Sequence, residues 1–177
     1  RPMPASRQIW ILRHAEAIEA PPEGGADRDR MLSPAGTKQA TRLGEAIAGG
    51  ELPGPAPSLV LVSSATRTRG TAMLAFSGLE PRCDFQVEPR MYEAGPDELL
   101  GLLRELPDEV ECVGIVGHNP AVAWLSIELV DESVAQHPAR EGHPPASLSV
   151  LELDLDRWSE LAAGTATLLA FHQTPLP

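Results

Sequence analysis

Gln8-Ile9-Trp10-Ile11-Leu12-Arg13-His14-Ala15-Glu16-Ala17 is the stretch whose reading decides the fold. The apolar run from Ile9 to Leu12 is branched and aromatic, which predicts a short strand buried on both faces. An arginine and a histidine follow at once, where the chain leaves the sheet. In open α/β sheets, chemistry gathers just beyond the carboxyl ends of the strands. A guanidinium there can fork onto a phosphate or carboxylate, and an imidazole can serve as nucleophile or proton carrier. One Arg-His pair is a weak signal. Its weight comes from what recurs further along the chain.

Leu59 to Val62 reads as a second buried strand, running into Ser63-Ser64-Ala65-Thr66-Arg67-Thr68-Arg69 and a helix through Phe76. The helix dipole disfavours a cation in that first turn, but the free N–H groups there suit a bound anion. Arg67 or Arg69 is therefore a candidate phosphate ligand. Val113 to Val116 reads as another strand, followed by Gly117-His118-Asn119-Pro120. Asn119 is expected to cap an apolar helix that has Pro120 at its first position and extends from Ala121 to Val130, burying Trp124, Leu125 and Leu129.

The remaining segments complete an α/β pattern. Ser33-Pro34 opens a helix whose apolar face is Ala40, Leu43 and Ile47, closed by Gly49-Gly50. Asp84 to Val87 is a short strand, and Gly95-Pro96-Asp97-Glu98 starts a core-packing helix carrying Leu99, Leu102, Leu103 and Leu106. Leu148 to Leu153 and Thr165 to Phe171 form a hairpin-like pair bridged by a turn around Trp158, with His172 beyond it at the surface. This predicts a three-layer α/β/α sandwich on a mostly parallel sheet, one domain over residues 1–177 with its core at about 8–172.

Composition narrows the partners. The 177 residues hold 14 basic and 25 acidic side chains, a formal net charge of −11. That argues against nucleic acid or an anionic membrane as partner. No apolar run approaches the length of a membrane span and no hydrophobic leader is seen, so a cytoplasmic protein is expected. Cys83 and Cys112 lack metal or redox spacing and read as free thiols. His137 and His143, in a polar loop from Asp131 to Pro145, lack a third ligand at sensible spacing and read as loop histidines rather than metal ligands. The Ala20 to Arg30 segment, rich in Pro, Gly and charge, reads as a solvated loop. Its second role would be a flap over the strand end, with Arg30 reaching a substrate.

Arg13, His14, Arg67 or Arg69, and His118 thus recur at strand ends. Guanidinium groups and imidazoles converging on one spot suit a phosphoryl group: the arginines neutralise its oxygens, and one histidine can attack phosphorus in line. No metal or other cofactor is required for this. A nucleophile elbow, a P-loop and a G-x-G-x-x-G fingerprint are all absent from the sequence.

Leu12-Arg13-His14-Ala15, Leu32-Ser33-Pro34-Ala35-Gly36, Ser63-Ser64-Ala65-Thr66-Arg67, Tyr92-Glu93-Ala94 and Gly117-His118-Asn119-Pro120 together resemble the histidine phosphatase superfamily. The nearest branch is the small bacterial phosphohistidine phosphatases, the SixA-like proteins. The resemblance spans Gln8 to Phe171 and implies a phosphoglycerate mutase-like fold. It implies that His14 is the nucleophile, Arg13 and Arg67 the phosphate-binding arginines, and His118 the second pocket histidine. Arg69 has no counterpart. Glu93 falls near the position where larger members carry an acid for the leaving oxygen, with a solvated loop carboxylate as the even alternative. Ala15 stands where glycine is commoner, and Glu16 could repel anionic substrates or point to solvent. The implied substrate is a phosphohistidine in a protein, or a small phosphate ester. The alternatives are a broad-specificity phosphomonoesterase and a non-catalytic phospho-ligand binding module. A mutase is disfavoured by the short stretch between Phe76 and Pro96.

Overall fold

Alternation within the first apolar run explains the layers. In the computed structural model, which describes residues 6–130 and 137–177, Ile9 and Ile11 point to one face of the sheet and Trp10 and Leu12 to the other. Six strands are ordered β3-β2-β4-β1-β5-β6. They are β1 (Ser6–Arg13), β2 (Leu59–Ser63), β3 (Asp84–Glu88), β4 (Cys112–Gly117), β5 (Leu148–Asp154) and β6 (Thr167–His172). The first four run parallel, β5 is antiparallel to β1, and β6 is antiparallel to β5.

Helices cover both faces. Leu43 and Ile47 of α1 (Pro34–Ala48) and Ala72, Ala75 and Phe76 of α2 (Thr66–Phe76) pack with Trp10, Leu12, Val60, Val62 and Val116. On the opposite face, α3 (Pro96–Arg104) supplies Leu99, Leu102 and Leu103, and α4 (Ala121–Leu129) supplies Val122, Leu125 and Leu129. These meet Ile9, Ile11, Val113, Ile115 and the fully buried Trp158. The fold is the expected three-layer α/β/α sandwich.

Register decides where the site forms. β4 sits between β1 and β2, with Arg13 opposite Gly117 and Val62 opposite Val116. The residues at the ends of the three central strands, His14, Ser63-Ser64 and His118, therefore emerge side by side along one edge of the sheet. Parallel direction and matched register do what sequence distance conceals.

Several local expectations need correction. Asn119 does not cap α4: its amide donates to the His143 carbonyl at 2.9 Å, and Pro120 occupies the cap position. Trp124 is not buried but 53% exposed, because α4 is apolar nearly all round and its pattern does not single out a core face. His172 is the last residue of β6 and half-buried, not a surface residue beyond the sheet. Of the expected polar loop from 131 to 145, residues 131–136 lie outside the described residues. In the remainder, His137 and His143 lie in loop segments, as expected, and are buried within a serine network.

Candidate active site

β1 delivers His14 with its backbone already committed. The His14 N–H donates to the Gly117 carbonyl at 3.1 Å and the Ala15 N–H to Thr71 Oγ1 of α2 at 2.9 Å. Ser33 caps α1 by accepting from the Gly36 N–H, and also donates its own N–H to the Glu16 carbonyl. A Cβ at position 36 would stand 1.9 Å from that same carbonyl oxygen, so only glycine lets α1 approach the turn after His14. The strand end is thus braced from β4, α1 and α2 at once.

The two imidazoles face each other edge to face, with ring centroids 5.6 Å apart. His14 Nδ1 lies 2.7 Å from the Ala15 carbonyl oxygen, which can only accept, so Nδ1 carries the proton and Nε2 the lone pair. Arg67 Nη2, a donor only, lies 3.4 Å from His118 Nδ1, which assigns the His118 proton to Nε2, hydrogen-bonded to Ser63 Oγ at 2.7 Å. Burial, helped by the cationic neighbours, pushes His14 down to about 3. The same causes, burial first and then Arg67, push His118 down to about 4. Both are neutral at physiological pH.

Arg13 and Arg67 flank this pair. Arg13 donates from Nη1 to the His143 carbonyl at 3.2 Å, and burial lowers its pKa. Arg67, in the first turn of α2, donates from Nη1 to the Asp27 carbonyl at 2.9 Å and from Nη2 to Asp27 Oδ2 at 3.1 Å. Each guanidinium keeps a buried Nε–H with no protein partner among the described residues. A buried charged donor without an acceptor is costly unless something else, such as a bound anion, takes the bond. Arg69, two residues on, is exposed.

The 20–30 loop comes over this site. Asp27 opens a single turn of 3₁₀ helix (Asp27–Asp29) and accepts from Arg67, from Arg30 Nη1 at 3.1 Å and from the Tyr92 hydroxyl. These donors, Tyr92 foremost, hold the Asp27 carboxyl well below the usual range. Tyr92 stands at right angles to the His118 ring, with centroids 5.6 Å apart, and the Arg28 guanidinium lies over the Tyr92 ring, 5.5 Å from its centroid. Among the described residues Arg30 reaches the site through Asp27 alone, and its Nε donates to the Ile18 carbonyl at 2.8 Å. Glu93 is exposed, with its neighbour Tyr92 turned to the site instead. Glu16 lines a separate cavity with Gln39, Pro144, Pro145 and the C-terminal Thr174. Asp27 and Tyr92 escape sequence reasoning because one sits in a run of alternating charges and the other is 65 residues away.

The family model of the histidine phosphatase superfamily (branch 1) matches residues 9–111. An uncharacterized Mycobacterium tuberculosis protein, Rv1276c, is 34% identical over 168 residues, covering 91% of this chain and 98% of its own. The chain therefore belongs to the histidine phosphatase superfamily. Within it, the chain is SixA-like. The SixA protein of Nakamurella multipartitia is 27% identical with a TM-score of 0.81, covering 98% of this chain and 99% of its own. That of Agrobacterium tumefaciens is 28% identical with a TM-score of 0.78, covering 94% and 97%.

Proposed function

We propose that the protein hydrolyses a phosphoryl group through a covalent intermediate on His14, and that its substrate is a phosphohistidine in a protein. The observation that carries this reading is the meeting of His14 and His118 with Arg13 and Arg67, both of which keep a buried Nε–H with no partner among the described residues. Both SixA proteins above are assigned as phosphohistidine phosphatases, which supports the same substrate class.

The Nε2 lone pair of neutral His14 attacks phosphorus, and the bond to the leaving group breaks with its electron pair departing on that group. His14 becomes a phosphoimidazolium whose Nδ1–H stays on the Ala15 carbonyl. Arg13 and Arg67 neutralise the equatorial oxygens, while the approaching dianion raises the pKa of His118 and lets it donate as well. Water then attacks phosphorus, the N–P electrons return to Nε2, and phosphate and a proton are released.

Leaving-group chemistry favours a P–N bond. Asp27 is held ionised by its three donors and cannot serve as an acid, and Glu93 is exposed. A phosphorylated imidazole protonated on its other nitrogen leaves neutral, so it needs no proton from the enzyme. Alkyl phosphates do need one. The test is rapid-quench trapping of phosphoenzyme from a phosphohistidine protein and from an aryl phosphate. Label should appear on His14, vanish in His14→Ala, and form far more slowly from an alkyl phosphate. A His14→Ala protein that stays folded and hydrolyses either substrate at the wild-type rate would refute the assignment.

A further inference from the structure

Asp27 supplies the two shortest hydrogen bonds that hold Arg67 among the described residues. The Arg67 side chain is 8% exposed, and its terminal nitrogens go to the Asp27 carbonyl and carboxylate, with a 3.4 Å contact to His118 and an interaction with the Tyr92 hydroxyl in addition. Asp27 is itself anchored. Arg30 grips its other carboxylate oxygen and is tied to the Ile18 carbonyl, the Tyr92 hydroxyl donates to Oδ2, and Asp29 Oδ2 caps the turn by accepting from the Ala26 N–H at 2.8 Å. The assembly links the 20–30 loop, the first turn of α2 and the segment before α3.

We propose that Asp27 is a positioning residue for the phosphoryl pocket: it clamps the terminal nitrogens of Arg67 so that the Nε–H is presented to the phosphoryl oxygens, and with Tyr92 it roofs His118. This rests on reading the site as a phosphoryl pocket. A carboxylate on a phosphate-binding arginine could instead act as a competitor that substrate must displace. Three features favour the clamp. The Arg67 Nε–H has no partner among the described residues while Asp27 is engaged. Half of the Asp27 side chain, 55%, is exposed, so its repulsion of an incoming anion is screened by solvent. Finally, a long side chain released from its two shortest hydrogen bonds would spread over several rotamers and lose the alignment that in-line transfer requires.

The two readings differ in the sign of what they expect. Tungstate affinity would be measured by calorimetry, and kcat and KM on an aryl phosphate, for the wild type, Asp27→Ala, Asp27→Asn and Glu23→Ala. Under the clamp, Asp27→Ala binds tungstate roughly 10-fold more weakly and loses about 10- to 100-fold in kcat. Asp27→Asn, which keeps the shape and one acceptor, recovers part of both. Glu23→Ala removes the same charge from an exposed position of the same loop and changes neither. Tighter tungstate binding or a lower KM in Asp27→Ala would establish the competitor and overturn the clamp. Unchanged kinetics and binding beside a lower Tm would reduce Asp27 to a structural role and overturn it equally. A wild type that binds no tungstate would refute the phosphoryl pocket itself, a separate failure visible before any variant is compared.

Discussion

His14 Nδ1 and the carbonyl oxygen of its own neighbour Ala15 are 2.7 Å apart, so the nucleophile candidate is held by the residue that follows it. The bond fixes the tautomer and the ring orientation together. It also survives phosphorylation, because Nδ1 keeps its proton when Nε2 gains phosphorus. A strand end braced from three sides holds that carbonyl in place.

The first consequence is for titration. With His14 at about 3 and His118 at about 4, the free protein should show neither imidazole titrating near the ordinary 6.5. NMR of the imidazole carbons should find both neutral from pH 5 to 8. Saturating phosphate places negative charge beside them and should move at least His118 upward. A free-state titration of either ring at about 6.5 would contradict the burial of both imidazoles.

The second concerns stability in acid. His14, His118 and His143 are all depressed by burial in the folded state, His143 to about 3, from an ordinary value of 6.5. Between those limits the unfolded chain binds protons that the folded one refuses, so unfolding gains as pH falls. Stability should be fully present above pH 6.5 and decline progressively toward about pH 3. Urea midpoints at pH 7.5, 6.0 and 5.0 should fall in that order, and bound tungstate should flatten the decline. Midpoints independent of pH over this range would be inconsistent with neutral buried imidazoles.

How much of this was legible in the sequence varies with the distance of the contacts. Ile9 to Leu12, Leu59 to Val62 and Val113 to Val116 announce buried strands because each is a short apolar run, and each runs into polar residues where the sheet ends. Ser33-Pro34 announces a helix start by local capping alone. Asp27 was illegible: nothing local separates it from Asp29, and only the fold brings it to Arg67, 40 residues away. Trp124 was misread because α4 carries apolar residues on its outer side as well. His137 and His143 lie in loop segments, but their burial was illegible because their partners, Ser126 and Ser149, lie on a helix and a strand that otherwise look purely apolar.

Close approach at Gly36 gives a steric test. A methyl group there would sit 1.9 Å from the Glu16 carbonyl oxygen, which is backbone and has no flexible end to swing away. Gly36→Ala must push α1 off the turn that carries His14. It should cost roughly 1–3 kcal/mol in urea unfolding, as overpacking does, and reduce turnover together with stability. At Gly101 a Cβ meets nothing within 4 Å, so Gly101→Ala serves as the matched helical control and should be neutral or slightly stabilising. Equal behaviour of the two variants would contradict the packing.

Behind Arg13 runs a buried hydrogen-bond chain whose directions can be worked out. His137 Nδ1 accepts from the Ala139 N–H, so its Nε2–H donates to Ser126 Oγ at 2.9 Å, and Ser126 donates to Ser149 Oγ at 2.8 Å. Ser149 must then donate to His143 Nε2 at 3.2 Å, leaving His143 Nδ1–H for Ser147 Oγ, which donates to the Pro144 carbonyl. Every donor finds one acceptor only while both histidines are neutral, in keeping with the lowered pKa that burial gives each. The chain ends where it matters, because the His143 carbonyl accepts from both Arg13 and Asn119. Ser149→Ala removes the middle link and strands the Ser126 hydroxyl and His143 Nε2. It should cost about 1–3 kcal/mol in urea unfolding, the usual cost of orphaned buried polar groups. By loosening the carbonyl that seats Arg13, it should also raise KM more than it lowers kcat. Ser149→Thr, which keeps the hydroxyl, should restore KM even if the added methyl group lowers stability. A Ser149→Ala variant as stable as the wild type would break the chain as drawn.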